Sequence, residues 1–395
     1  MQHSCDYLIV GGGMAAAAAA HGIRMRDKKG SISILGAEAH PPYDRPPLTK
    51  DLWTGKKTSQ DIWRDIEGDR ATCIPGRHAV KLDPPSKTVT DDRGDEYRYG
   101  KLLIATGGTP RRIDGLAGDR VIYYRTLDDY HTLRDAIRKG MRVAVVGGGF
   151  IGSEIAAALT LNDCKVTQLI GEDTIGARVY PAGLAASVTD YFRGKGVEVR
   201  TGAKVTGGKA DDQGVTLTLQ EGAGVEVEWV VAGLGITPNV QLARDAGLDV
   251  GDGILVDDHL RTSMQDIWAA GDAANYPDAT LAERRRVEHE DAALTMGEHA
   301  GANMAGADKP YTHLPYFYSD LFELGYEAVG DLDARMQTVE DWKEPYREGV
   351  VYYLKDGRVR GVLLWNIWDQ KDNARELIAG KGPFDVGSLK GRLPG

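Results

Sequence analysis

Cysteine is scarce in this sequence. Three of the 395 residues are cysteines, Cys5, Cys73 and Cys164, and they form no Cys-x-x-Cys pair. A sparse, odd count argues against a disulfide framework and against a zinc site, and it is typical of a reducing compartment. We therefore predict buried structural thiols and no metal centre.

Long apolar runs and an excess of positive charge are also missing. The net charge is −10, which argues against binding to nucleic acid or to an anionic membrane. No segment approaches the roughly 18 apolar residues of a membrane span. The alanines at positions 15–20 lack the preceding basic region of a signal peptide. We expect a cytoplasmic protein of two or three domains.

Glycine, in contrast, is abundant, with 50 residues. A single Gly-x-Gly-x-x-Gly/Ala match is therefore weak evidence, because chance supplies about one in such a chain. Two matches, however, each follow a predicted buried strand and open a predicted helix. A further strand and an acidic residue come next in both cases. The first match is Gly11, Gly13 and Ala16 with Glu38, and the second is Gly147, Gly149 and Gly152 with Glu172.

These residue types suit dinucleotide binding. The first glycine allows a tight turn, the second lets a pyrophosphate approach the backbone, and the third small residue lets helix and strand pack closely. The phosphate lies at the positive end of the helix, and the carboxylate accepts ribose hydroxyl groups. We predict an α/β fold with two Rossmann-type dinucleotide-binding domains.

The acid of the second unit indicates the cofactor. A carboxylate at Glu172 repels a 2′-phosphate, which favours NADH over NADPH. Arg178 leaves the alternative open, because it could either cover the adenine or bind a phosphate.

Two more stretches, LLIATGG at 102–108 and IWAAGDAA at 267–274, are predicted strands that end in small residues. Together with the glycine turns they resemble the paired motifs of flavoproteins with two dinucleotide domains. The resemblance places Ala105, Thr106, Gly107 and Gly271 at FAD and implies that Asp272 binds the ribityl chain.

The segment PPYDRPPLTK at 41–50 contains four prolines and is predicted to be a stiff arm. It resembles the Arg-Pro-Pro-Leu-Ser-Lys segment of ferredoxin reductases and of apoptosis-inducing factor, with Thr49 in place of serine. Residues 281–291, 318–320, 325–330 and 364–367 extend the resemblance to the latter protein. The chain is identified as a member of the ferredoxin-reductase and apoptosis-inducing-factor-like FAD-dependent pyridine-nucleotide oxidoreductases.

The chain departs from relatives in three respects. Disulfide reductases place an active cysteine soon after the second strand, but no cysteine lies between Cys5 and Cys73. Tyr318 replaces the usual tryptophan, and the long C-terminal insertion of the animal protein is missing. An apoptotic role is therefore not carried over.

The resemblance implies a specific site, with FAD on the first fold, NADH on the second and their rings stacked at the domain junction. Lys50 would lie beside the reactive edge of the flavin, and Arg45 beside its ribityl and pyrophosphate groups. Glu154 would bind the nicotinamide carboxamide and pair with Lys50.

The predicted catalytic residues are Lys50, Glu154 and His289. The remaining predicted contacts are Glu288 and Tyr318 for FAD and Gly235 for NAD.

Three domains are expected. Residues 1–113 and 248–306 would bind FAD, and residues 114–247 would bind NAD. Residues 307–395 would form an α+β interface domain that supports a homodimer. A hairpin is predicted at Asp356 and Gly357, and helices are predicted at 288–304 and at about 370–379.

The implied reaction is hydride transfer from NADH to N5 of FAD, followed by electron delivery to an external acceptor. Candidates are an iron–sulfur protein such as a ferredoxin, a rubredoxin, a quinone, a small oxidant or dioxygen. A basic patch at residues 284–286 could dock an acidic carrier, although the net charge argues against this. The alternative is an NADH-sensing flavoprotein with slow turnover and redox-dependent association; a third hypothesis is an NADH oxidase.

Overall fold

The computed structural model describes residues 1–393, which divide into two compact units. The first unit contains residues 1–45, 59–109 and 237–315, and the second contains residues 46–58, 110–236 and 316–393. The division into three domains that the sequence suggests stays a prediction. None of the helices within residues 1–393 combines the length and apolar character that a bilayer crossing requires.

A seven-stranded sheet forms the centre of the first unit. Its parallel part has the order Ala71–Ile74, Ile32–Leu35, Gln2–Val10, Glu96–Ile104 and Ile267–Ala269. The antiparallel strands Thr88–Asp91 and Ala79–Asp83 continue it beyond Glu96–Ile104. Parallel strands with nearly continuous apolar runs are buried on both faces, as expected for a dinucleotide fold.

The remaining elements of the first unit cover this sheet or extend it. The helices are Met14–Arg26, Gln241–Asp245 and Glu290–Met304, with 3₁₀ turns at Ser59–Ile62 and Gly271–Ala273. A four-stranded sheet contains Val250–Gly251, Gly253–Leu255, Ala274–Asp278 and Glu283–Arg285. The helix predicted at 288–304 thus begins two residues later than expected, at Glu290.

The second unit contains a five-stranded parallel sheet with the order Glu198–Arg200, Lys165–Leu169, Arg142–Val146, Trp229–Ala232 and Val121–Tyr123. Its helices are Leu127–Ala136, Phe150–Leu161 and Ala182–Gly194. Val205–Asp211, Gly214–Leu219 and Val225–Val227 form an antiparallel sheet. The neighbouring strands Val225–Val227 and Trp229–Ala232 therefore belong to two different sheets. Two of the places at which the chain changes unit lie in the strands Gly108–Pro110 and Ile236–Pro238.

The C-terminal residues add a five-stranded antiparallel sheet to the second unit. Its order is Tyr316–Leu321, Leu324–Gly330, Arg358–Trp365, Glu348–Lys355 and Gln337–Glu344. Helices Lys371–Ala379 and Val386–Leu389 follow. The hairpin at Asp356 and Gly357 is confirmed, because Lys355 pairs with Arg358. Two parallel βαβ sheets and an α+β C-terminal part confirm the predicted fold class.

Close contact between two helices explains the alanine run of the first unit. Helix Met14–Arg26 packs against Glu290–Met304, and glycines on the second helix face alanines on the first. A Cβ atom at Gly297 would lie 2.3 Å from the carbonyl oxygen of Ala15, and one at Gly301 would lie 2.1 Å from that of Ala19. The backbones are therefore too close to admit a methyl group.

We expect Gly297→Ala to destabilise the protein by about 1–3 kcal/mol, because the new methyl group forces the helices apart. Gly194→Ala is the matched control: its Cβ would meet no atom within 4 Å. Removing that helical glycine should leave stability unchanged or raise it by about 0.5 kcal/mol. The free energy of unfolding in urea measures both effects. Equal stabilities for the two variants would contradict the close contact.

Candidate functional site

The first glycine turn brings two strand ends together. Gly11 follows strand Gln2–Val10 with a φ of +123°, and a Cβ on it would lie 2.0 Å from the carbonyl oxygen of Ala105. Only glycine fits this close approach. Helix Met14–Arg26 starts after Gly13, and among the described residues no side chain caps its first amides. Those N–H groups suit a pyrophosphate, as FAD requires.

Several other predicted FAD contacts follow neighbouring strands at the same edge of the sheet. Thr106 follows strand Glu96–Ile104 and is held by Asn239, whose Nδ2 donates to the Thr106 carbonyl at 3.0 Å. Asp272 lies in the turn after the parallel neighbour Ile267–Ala269. Gly107 and Gly271 have φ values of +62° and +71°. The carboxyl ends of parallel strands are where ligands bind in such sheets.

Glu38 is placed just beyond strand Ile32–Leu35, as expected, and both its carboxylate oxygens are engaged. Arg45 donates to one of them, and the Tyr43 hydroxyl donates to the other at 2.5 Å. The charges of Arg45 and Asp272 also interact. The predicted FAD residues Glu38, Arg45 and Asp272 thus form one electrostatic cluster. Tyr43 was missed from the sequence, although it lies inside the proline-rich arm.

His289 is the residue before helix Glu290–Met304 and is half-buried. Desolvation lowers the pKa of its imidazole to about 4, with Asp272 opposing and Arg285 reinforcing the shift. The ring is therefore neutral at pH 7. Glu288 is exposed and accepts a hydrogen bond from Arg286 at 2.7 Å. Roles of His289 and Glu288 toward a flavin stay predictions.

Of the three arginines at 284–286 that could form a basic docking patch, only Arg284 is exposed, and each has partners within the first unit. Arg284 donates to two main-chain carbonyl groups, those of Val256 at 2.5 Å and Asn275 at 2.9 Å. The other two arginine side chains are 17% and 7% exposed and pair with carboxylates. The three charges therefore hold the first unit together internally.

The depressed pKa of His289 predicts a pH dependence of stability. The unfolded chain protonates this histidine below about pH 6.5, whereas the folded protein resists protonation down to about pH 4. Folding stability contributed by the neutral ring is present above pH 6.5 and is lost as the pH falls. On going from pH 7 to pH 5, cofactor-stripped wild-type protein should lose about 1–2 kcal/mol more than His289→Gln. Urea unfolding at several pH values measures this, and parallel stability curves would contradict it.

The second glycine turn repeats the geometry of the first. Gly147 has a φ of +123°, and a Cβ on it would lie 2.4 Å from the carbonyl oxygen of Gly233. A Cβ on Gly152 would lie 2.4 Å from the carbonyl oxygen of Gly147, so the helix can approach the turn closely. Helix Phe150–Leu161 follows Gly149, again with no side-chain cap among the described residues. This arrangement suits a second dinucleotide.

Glu172 and Arg178 form an ion pair just beyond strand Lys165–Leu169. Arg178 donates to Glu172 through Nε at 2.9 Å and through Nη2 at 2.5 Å. Because the arginine side chain is 83% exposed, the ion pair contributes little to the free energy of folding. The exposed guanidinium group can also exchange this partner for another. Gly235 has a φ of +79° and accepts a hydrogen bond from the Arg111 amide.

Glu154, on helix Phe150–Leu161, is 3% exposed and receives three donors. Its Oε1 accepts from Lys50 Nζ at 2.6 Å and from Ser319 Oγ at 2.6 Å. Its Oε2 accepts from Thr49 Oγ1 at 2.5 Å. The predicted ion pair between Lys50 and Glu154 is confirmed, while the two hydroxyl donors were missed. Three distant segments of the second unit therefore meet at one carboxylate.

Lys50 is held from a second side by an aromatic ring. Its Nζ lies 5.1 Å from the centroid of Tyr318, within the range of a cation–π interaction. The lysine side chain is 13% exposed. Tyr318 thus contacts the predicted catalytic lysine although it is not the expected tryptophan.

Comparison with known proteins agrees with this geometry. A family model described as pyridine nucleotide-disulphide oxidoreductase matches residues 5–297. A second, described as apoptosis-inducing factor, mitochondrion-associated, C-term, matches residues 300–345 and 340–380.

Individual proteins match over most of the chain. Apoptosis-inducing factor 1, mitochondrial, from Dictyostelium discoideum is 34% identical over 94% of this chain and 78% of its own. The anthranilate 1,2-dioxygenase system ferredoxin–NAD(+) reductase component of Burkholderia cepacia is 33% identical over 94% of both chains. A solved covalent putidaredoxin reductase–putidaredoxin complex contains a chain with a TM-score of 0.90 and 28% identity, and the match covers 97% of this chain and 95% of that one.

Proposed function

Because the chain belongs to the pyridine nucleotide-disulphide oxidoreductase family, in which it resembles ferredoxin reductases and apoptosis-inducing factors, it is an FAD-dependent oxidoreductase that uses a nicotinamide dinucleotide. We propose that it oxidises NADH and delivers the electrons directly to a separate carrier protein, without a redox-active disulfide.

The observation that carries this proposal is the ion pair between Lys50 and Glu154. The pair stands at the start of the helix that follows the second glycine turn, and it is almost completely buried. Burial of two charges is costly unless they are paired and hydrogen-bonded, and even a paired buried ion pair adds little stability. We therefore assign this buried pair a functional role. An ammonium group and a carboxylate that are fixed beside a dinucleotide site can orient the carboxamide of a nicotinamide.

The residues of the first glycine turn fit FAD. The uncapped amides after Gly13 would hold its pyrophosphate, and Asp272 and Glu38 would accept its hydroxyl groups. When bound, FAD supplies the hydride acceptor and the group that passes electrons on. His289 lies at the start of helix Glu290–Met304, whose dipole is positive at that end. Because the ring is neutral at pH 7, it adds no charge of its own there.

The state of the cysteines supports electron transfer without sulfur. All three are free within the described chain, and burial raises the pKa of each thiol, with a carboxylate neighbour adding to the effect at Cys5 and Cys164. A thiol with a raised pKa is a poor nucleophile at neutral pH. A disulfide relay therefore has no suitable participant.

The decisive experiment is anaerobic mixing of the purified flavoprotein with NADH. We expect the visible absorbance of oxidised flavin to disappear in a single-turnover reaction. The reduced protein is then mixed separately with a ferredoxin, a rubredoxin, a quinone and air. Rapid recovery of absorbance with an iron–sulfur or rubredoxin carrier alone would support the proposal, whereas recovery only with air would identify an oxidase. A colourless protein that ignores NADH would refute it.

Glu172 supports NADH as the electron donor. Its carboxylate would accept hydrogen bonds from the ribose hydroxyls of NADH and repel a 2′-phosphate. Glu172 also pairs with Arg178, so a 2′-phosphate would have to compete with a carboxylate for that guanidinium group.

We expect Glu172→Gln to lower kcat/KM for NADH about tenfold and to raise it several-fold for NADPH. The substitution removes the repulsion and frees Arg178 to pair with the 2′-phosphate. Steady-state kinetics with both nucleotides and one artificial acceptor measure the ratio. The double variant Glu172→Gln with Arg178→Met is the control, and it should lose the part of the NADPH gain that comes from the guanidinium group. An unchanged preference in the single variant would exclude Glu172 from nucleotide discrimination.

A second candidate function is NADH sensing with slow turnover. The match of the C-terminal residues to the apoptosis-inducing-factor model favours it, as does the Dictyostelium relative. It would be supported by slow reoxidation with every acceptor and by a change in oligomeric state after NADH is added, measured by analytical ultracentrifugation. Fast turnover with one carrier would exclude it.

A further inference from the structure

The segment that bears Lys50 is structurally part of the second unit. Residues 46–58 form a 3₁₀ turn, Pro46–Thr49, and one helical turn, Asp51–Thr54, with Lys50 between them. The neighbouring side chains of Leu48, Leu52 and Trp53 are 2–4% exposed. The main chain around the lysine is thus enclosed by the protein and not displayed on a free loop.

Carbonyl groups on both sides of Lys50 are held by aromatic donors. The Leu48 carbonyl accepts from the hydroxyl of Tyr124 at 2.5 Å and from Nε1 of Trp53 at 2.7 Å. On the other side, the Tyr130 hydroxyl donates to the Leu52 carbonyl at 3.1 Å. The donors Tyr124 and Tyr130 follow the strand Val121–Tyr123 and are themselves buried.

A further hydrogen bond to the lysine segment comes from the end of helix Phe150–Leu161. Nδ2 of Asn162, the residue after that helix, donates to the Trp53 carbonyl at 3.3 Å. The same helix carries Glu154, which receives the Lys50 ammonium group. The main chain of the lysine and the carboxylate it contacts are therefore positioned by neighbouring elements of one dinucleotide fold.

We propose that the Tyr124 hydroxyl is a positioning group for Lys50. By holding the Leu48 carbonyl, this hydroxyl fixes the main chain at Lys50. The position of the ammonium group relative to Glu154 and Tyr318 follows from that. This inference rests on the proposed function, in which Lys50 acts during flavin reduction. Displacement of a catalytic group by about 1 Å can lower the rate about 100-fold. A hydrogen bond that holds the carbonyl group two residues before the lysine is therefore expected to affect the rate.

The adjacent tyrosine offers a matched control. Tyr123 is buried to the same degree as Tyr124, at 6% against 5% exposed. Its hydroxyl donates to the Leu116 carbonyl at 2.9 Å and accepts from the Ile113 amide at 3.0 Å, away from residues 46–58. Tyr123→Phe and Tyr124→Phe each remove one buried, bonded hydroxyl, but only the second reaches the lysine segment.

The test is stopped-flow reduction of the FAD-loaded variants by NADH under anaerobic conditions. We expect Tyr124→Phe to lower the limiting rate about tenfold with little change in the Kd for NADH, whereas Tyr123→Phe stays within about twofold of wild type. Tyr130→Phe, which releases the Leu52 carbonyl, should act in the same direction as Tyr124→Phe. Equal rates for the Tyr123 and Tyr124 variants would overturn the proposal.

A second measurement separates positioning from a general structural effect. In a Lys50→Met background, Tyr124→Phe should slow flavin reduction no further, because there is no ammonium group left to misplace. The same tenfold decrease in that background would overturn the proposal. If wild-type protein is not reduced by NADH at all, the proposed function itself fails, and that outcome is distinct from either result.

Discussion

The buried carboxylate of Glu154 joins three parts of the second unit that are far apart in sequence. A carboxylate removed from water costs several kcal/mol unless donors satisfy it. Here those donors come from Thr49 and Lys50 in the proline-rich arm and from Ser319 in the C-terminal sheet. Because removal of one donor leaves charge buried and poorly satisfied, the arm, the dinucleotide fold and the C-terminal sheet are energetically coupled through one side chain.

This coupling explains two features of the sequence that seem unrelated. Thr49 stands where the motif that this segment resembles has serine, and its hydroxyl donates to the carboxylate, as a serine hydroxyl could. Ser319 is 1% exposed in a strand in which Tyr318 and Asp320 flank it. A buried serine in such a strand contributes little to an apolar core, and its contact with Glu154 accounts for its presence.

Much of the fold was predictable because its signals are local. A strand, a glycine turn, a helix and a second strand lie within about 30 residues of sequence, so both dinucleotide units could be recognised from spacing alone. The hydroxyl donors at Thr49 and Ser319 could not, because they lie 105 and 165 residues from Glu154. No periodic pattern marks a hydroxyl that serves a distant carboxylate. The Lys50 pairing was found only through a family motif.

The arginines at 284–286 illustrate the same limit and bear on the choice of acceptor. Three adjacent positive charges suggest a docking patch. The sequence does not reveal that nearby carbonyl groups and carboxylates accept hydrogen bonds or ion pairs from all three guanidinium groups. Because two of these arginine side chains are largely buried and the net charge is −10, long-range attraction does not favour a strongly acidic carrier. A carrier that binds this protein must therefore rely on short-range contacts or on a local field elsewhere on the surface. Association should then depend weakly on ionic strength, unlike a steered encounter between opposite charges.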